Sequence, residues 1–156
     1  MASPPHAIRR VPILLIGAGG VGAELLRALV RARTLHAHRY SLRLAAVAVA
    51  DSSAAVACAD MATSELSDAQ INSLIEHKAK GQRLDSLALD SSTALCEPKR
   101  PGEAAADFLE RCARECSSKA PKTILVDCTA TDATIPALLL TAESGSALRA
   151  TMANKK

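Results

Sequence analysis

Gly17-Ala18-Gly19-Gly20-Val21-Gly22 follows directly on the branched apolar run Val11 to Ile16, and leads into Leu25, Leu26, Leu29 and Val30 at helical spacing. A short continuous apolar run bounded by glycine reads as a strand buried on both faces. The stripe after it reads as an amphipathic helix, with Glu24, Arg27 and Arg31 turned elsewhere. Between the two, the G-x-G-x-x-G spacing narrows the geometry to a strand that turns sharply into a helix packed back on it. Pro12 has no N–H for a ladder bond, so it is expected among the first residues of the strand. With 156 residues, 49% hydrophobic and 22% charged, the chain has material for one ordinary domain and is too apolar to stay disordered.

The rest of the chain continues the alternation. Leu42 to Ala50, ending in Asp51, is the next parallel strand and closes a right-handed strand-helix-strand unit; Arg33 to Ser41 reads as a polar insert ahead of it. Ser67 and Gln70 have the spacing of a capping box, followed by Ile71, Leu74 and Ile75 on one face and Gly81 as a stop. Gln82 to Gly102, with Pro98 and Pro101, reads as loop. Glu103 to Cys116 is a helix with Ala105, Phe108, Leu109, Cys112 and Cys116 on one side and the pairs Asp107 with Arg111 and Glu110 with Arg114 on the other. Thr123 to Val126 is a buried strand ending in Asp127, Cys128 and Thr129. Asp132 then caps a helix carrying Ile135, Leu138 and Leu139, with Pro136 in its first turn and Gly145 at its end. Leu148 to Met152 is a last short strand. The pattern predicts an α/β fold of Rossmann type, a doubly wound and mostly parallel sheet with helices on both faces. Residues 1–10 are expected as a flexible leader and 11–156 as one nucleotide-binding domain.

The glycine loop sets the chemistry. Gly17 permits the tight turn, Gly19 lets backbone approach a pyrophosphate, and Gly22 lets the helix lie close to the strand. Gly20 and Val21 supply N–H groups at the positive end of the helix dipole, where phosphates are held. Asp51 is the candidate acceptor for the adenosine ribose hydroxyls, although its distance from Gly22 exceeds the roughly 20 residues usual for that role. An acid there suits NAD, whereas Ser52 and Ser53 could donate to the 2′-phosphate of NADP, so both nicotinamide dinucleotides remain candidates.

Other functions lack their raw material. Aromatic content is 1%, with Tyr40 and Phe108 alone, which disfavours base stacking and nucleic acid as a partner. The net charge of +3 is scattered and names no partner. Five cysteines, without a C-x-x-C pair or a histidine at ligand spacing, read as reduced core thiols rather than a metal site. No apolar run approaches the roughly 20 residues of a membrane span. His36 and His38, with Arg31, Arg33 and Arg39, read as a solvated helix end, and His77 has no carboxylate or second histidine to suggest a catalytic relay. The leader has the composition of a transit peptide at a fraction of its usual length; the reading is a cytoplasmic protein, with a plastid as the alternative.

Three segments in order, Ile16-Gly17-Ala18-Gly19-Gly20-Val21-Gly22, Val126-Asp127-Cys128-Thr129-Ala130 and Ala153-Asn154-Lys155-Lys156, together with Ala50-Asp51-Ser52, resemble the N-terminal nucleotide-binding half of the homoserine dehydrogenases. The likeness runs from Val11 to the end. It implies NAD or NADP as cofactor and hydride transfer between aspartate semialdehyde and homoserine, on the biosynthetic route to threonine and methionine. It also implies that Thr129 lies near the nicotinamide end, with Asn154 and Lys155 at the mouth between cofactor and substrate, Lys155 as a possible substrate contact. In that family the catalytic lysine and the acidic substrate-holding residues follow the N-K-K segment. The expectation is therefore a truncated chain, inactive alone on aspartate semialdehyde, with no catalytic or metal-binding residue of its own and with apolar surface left for homo-oligomer formation. The alternatives are a non-catalytic nucleotide-binding module acting through a partner and, third, a methyltransferase using S-adenosylmethionine.

Overall fold

The computed structural model describes residues 7–142 and 150–153. Its strands are β1 (Arg9–Ile16), β2 (Leu42–Ala50), β3 (Ala54–Cys58), β4 (Ala94–Pro98), β5 (Ile124–Asp127) and β6 (Ala150–Ala153), and its α-helices are α1 (Gly20–Tyr40), α2 (Asp68–Ala79), α3 (Ala105–Lys119) and α4 (Ile135–Leu139). The strands form one sheet in the order β4-β3-β2-β1-β5-β6. β1 is parallel to β2 and β5, and β5 to β6, while β3 is antiparallel to both β2 and β4. Only β3 therefore runs against the rest, and the architecture is α/β and Rossmann-like. The crossover from β1 through α1 moves one way along the sheet and that from β4 through α3 moves back, so right-handedness sets these helices on opposite faces. The double cover explains why Leu14, Leu15 and Ile16 are consecutive and all fully buried.

Several elements differ from the expectation. Pro12 is the fourth residue of β1, not one of its first. It is tolerated because β5 joins β1 only from Ile13 onward, so at Pro12 only the β2 side is occupied, and the register shifts immediately after Ile13. The segment Arg33 to Ser41 is no insert: α1 continues through it for 21 residues and stops where Ser41 turns left-handed at φ 48°. Arg33 is not solvated either. Its side chain is 10% exposed and reaches Glu65, Asp68 and the Leu66 carbonyl, tying α1 to the start of α2. The strand β3 departs from the expectation, because the alanine-rich Ala54–Cys58 has no alternation and a single branched residue, Val56. Within Gln82 to Gly102, expected as loop, lie a 3₁₀ turn at Leu84–Ser86 and the strand β4.

The helices stand closer to expectation. Ser67 and Gln70 form the reciprocal capping box of α2, and Gly81 follows its end at φ +73°. In α3, Phe108, Leu109, Cys112 and Cys116 are buried, and Glu110 pairs with Arg114. Arg111, however, turns from Asp107 to Glu97 and Glu103, with its guanidinium 5.3 Å from the Phe108 ring centroid. Two carboxylates outbid one exposed i, i+4 partner. Asp132 is not the cap of the fourth helix: Thr131 accepts from the Ala133 N–H and opens a 3₁₀ turn that leads into α4. Gly145, Leu148 and Arg149 lie outside the described residues. Among the described residues, no helix is long and apolar enough to cross a membrane.

Under α3 the floor of Ala48, Ala55 and Ala57 leaves a small cavity of about 50 Å³ beside Cys58, Cys112 and Cys116. All five cysteines are free thiols. Burial raises the Cys58, Cys112 and Cys116 thiols above their ordinary range, Cys112 to about 12. Since the thiolate is the nucleophile, Cys112 and Cys116 should alkylate with iodoacetamide at pH 8 at least ~100-fold more slowly than a free thiol in the folded protein, Cys58 should also be slowed, and all five should react in urea. Peptide mapping of the labelled protein checks this; fast labelling of Cys112 without unfolding would contradict the packing.

Candidate functional site

The ends of β1, β2 and β5 meet in a cleft of about 410 Å³, within the range of ordinary ligand pockets. Gly17 leaves β1 at φ +95° and donates its N–H to the Ala50 carbonyl at 2.7 Å. A Cβ on Gly17 would stand 2.6 Å from the Thr129 methyl group, so the turn and its neighbour both require glycine there. At Gly22 the constraint is harder still: a Cβ would lie 1.8 Å from the Gly17 carbonyl oxygen and 3.2 Å from Leu15. That close approach lets α1 start directly over the end of β1.

Gly19 and Gly20 differ in kind. A Cβ on either would meet nothing within 4 Å, and Gly19 has ordinary extended angles, φ −74° and ψ −161°. The protein's own packing and backbone do not require them to be glycine. Gly19 is the N-cap of α1 without a side chain to cap it, and the first turn carries no acidic residue. The positive end of a 21-residue helix therefore opens onto the cleft without a countercharge in that turn. Gly20 lines an adjoining hollow with Gly19, Ala23 and Lys78, whereas Val21 is 58% exposed at the surface.

Asp51 and Ser52 reach the cleft from the end of β2, and Lys78 from the last turn of α2. Asp51 Oδ1 accepts from the Ser53 N–H at 2.7 Å, the Ser53 hydroxyl at 2.6 Å and the Ala54 N–H at 3.2 Å, closing the turn from β2 to β3. Its other oxygen, Oδ2, accepts from Lys78 Nζ at 2.8 Å. Burial pushes the Asp51 carboxyl upward, but the bonds from Lys78 and Ser53 outweigh it and hold it below the usual aspartate range. On the far side of the cleft, the buried Asp127 repeats the device: Oδ1 accepts from the Thr129 N–H at 2.8 Å and hydroxyl at 2.7 Å, and Oδ2 from the Thr134 hydroxyl at 2.7 Å. Thr129 is thereby fixed against Gly17, facing the loop.

Of the residues singled out from the sequence, Gly17, Gly19, Asp51, Ser52 and Thr129 come together in this cleft, Gly20 lines the hollow beside it, and Gly22 shapes the loop from beneath. Val21 does not line it. Asn154 and Lys155 lie outside the described residues. Lys78 was missed, since it joins Asp51 across 27 positions of sequence and nothing in its local pattern announces the contact. Asp51 and Lys78, bonded to each other, are the titratable side chains of the described lining. The arrangement can receive an anion at the helix end and orient hydroxyls. No family model matches the chain, and no curated protein or solved structure matches it significantly.

Proposed function

We propose that the cleft binds a nicotinamide dinucleotide, NAD or NADP, as the nucleotide-binding part of an oxidoreductase resembling homoserine dehydrogenase. The observation that carries this reading is the pair Gly19 and Gly20, glycines that the fold does not need, at an uncapped helix start facing open space. Such positions suit close approach of a ligand's diphosphate to backbone N–H groups. Gly19, Gly20 and Val21 would hold the diphosphate through their backbone, Asp51 and Ser52 would face the adenosine ribose, and Thr129 would lie toward the nicotinamide. When bound, the dinucleotide would supply or accept hydride, and the chain's residues would bind and orient it. Asn154 and Lys155 belong to the proposal on the strength of the resemblance alone, as does interconversion of aspartate semialdehyde and homoserine.

A second reading, a non-catalytic nucleotide-binding module acting through a partner, is favoured by one feature: the described cleft pairs its two titratable side chains with each other. Self-association through exposed Leu139 and Met152, 60% and 61% exposed, fits either reading. Fluorescence titration tests the binding claim common to both. NADH or NADPH should bind with a dissociation constant of micromolar order and give an enhanced reduced-nicotinamide signal, while S-adenosylmethionine should not compete. Binding of S-adenosylmethionine alone would replace the dinucleotide reading with the methyltransferase one.

A further inference from the structure

We infer that the cleft prefers the dinucleotide carrying a 2′-phosphate, with Lys78 as the group that receives that phosphate and Asp51 as the residue that positions Lys78. The inference rests on the dinucleotide reading and sharpens it. An ionised carboxylate offers about four acceptor positions. Asp51 spends them on its own chain: Ser53 N–H, Ser53 hydroxyl and Ala54 N–H on Oδ1, and Lys78 Nζ on Oδ2. With 14% of its side chain exposed, it has little left with which to accept both hydroxyls of a ribose. The acid that would ordinarily select an unphosphorylated ribose is thus largely engaged, and its charge is neutralised by the ammonium bonded to it.

Lys78 is in the opposite condition. Its side chain is 23% exposed, it lines both the main cleft and the hollow beside Gly19 and Gly20, and its ammonium carries three donors, of which one goes to Asp51. Ser52, exposed beside it in the cleft, adds a hydroxyl. A doubly charged phosphate arriving here meets a lysine held at a fixed height by the β2 end, and the ammonium can bridge carboxylate and phosphate together. An unphosphorylated ribose would gain little from Lys78 and find Asp51 occupied.

The experiment compares NADPH and NADH by fluorescence titration on the unmodified chain and on Lys78→Met and Lys78→Arg, with adenosine 2′,5′-bisphosphate and 5′-AMP as competing probes. The unmodified chain should bind NADPH at least ~10-fold more tightly than NADH, and the bisphosphate should compete better than 5′-AMP. Lys78→Met should lose about that factor for NADPH, while NADH, for which the freed Asp51 Oδ2 can accept a ribose hydroxyl, should bind no more weakly than to the unmodified chain, and Lys78→Arg should keep the preference. Should Lys78→Met fail to fold, the unmodified chain decides through salt, because screening should narrow the NADPH to NADH ratio as ionic strength rises from ~0.05 to ~0.5 M. Equal affinity for the two cofactors, or a Lys78→Met loss shared equally by both, overturns the preference and leaves the dinucleotide site standing. Failure of both cofactors to bind overturns the site itself and this inference with it.

Discussion

Gly22→Ala should be the most destabilising single substitution in the loop, lowering the stability of the domain by about 3 kcal/mol or more. The added Cβ would stand 1.8 Å from the Gly17 carbonyl oxygen and 3.0 Å from its carbonyl carbon. Both are backbone atoms of a turn that cannot yield freely. Gly17 is committed to φ +95° and bonded to the Ala50 carbonyl, and the Thr129 methyl stands where even a Cβ on Gly17 would come within 2.6 Å of it. Relief would require α1 to lift off the end of β1, uncovering Leu15 and Leu26, both fully buried. Against a typical total of about 5–15 kcal/mol, that is a large fraction. For a domain of this length the melting temperature should fall by roughly 10 °C. Thermal and urea unfolding followed by circular dichroism measure it. A melting temperature within about 2 °C of the parent would mean that the close approach of α1 to β1 is wrong.

The parts of the fold legible in the sequence are those where local pattern and tertiary role coincide. Val11 to Ile16 is continuous and branched because both faces of the strand are covered, and the Ser67 and Gln70 capping box signals α2 through its own hydrogen bonds. What escaped depends on contacts distant in sequence. The long α1 carries a polar second half, which looks like a connection until Arg33 is seen bonded to the Leu66 carbonyl. The strands β3 and β4 are mostly alanine, cysteine, glutamate and proline, with Val56 the single branched residue and Leu95 the one large aliphatic, and owe their form to pairing with each other and with β2 rather than to propensity. One local signal recurs at the strand ends and turns. Asp51-Ser52-Ser53, Asp90-Ser91-Ser92 and Asp127-Cys128-Thr129 share the pattern D-x-S/T, and in each the aspartate Oδ1 accepts from the N–H and hydroxyl two residues on. Its recurrence marks Asp51 as a turn-former at the end of its strand, bonded to its own backbone before any ligand arrives.

Gly19→Val should leave the domain folded and remove dinucleotide binding, with affinity falling at least ~100-fold, or about 2.7 kcal/mol. The contrast with Gly22 is the point. The extended backbone at Gly19 suits a branched residue, and its Cβ would meet nothing within 4 Å. Valine is a poorer N-cap than glycine, which costs the fold roughly 1 kcal/mol and the melting temperature only a few degrees. The side chain would instead project at the uncapped start of α1, into the space where a diphosphate would need to lie against backbone N–H groups. Steric exclusion there is compounded by lost access to the helix dipole, so a partial loss is not expected. Parallel measurements separate the two effects: circular dichroism and thermal unfolding report the fold, and NADH and NADPH titration reports the site. Unchanged titration in a folded Gly19→Val protein would remove the loop from the binding site, and with it the reason for reading the cleft as a dinucleotide cradle.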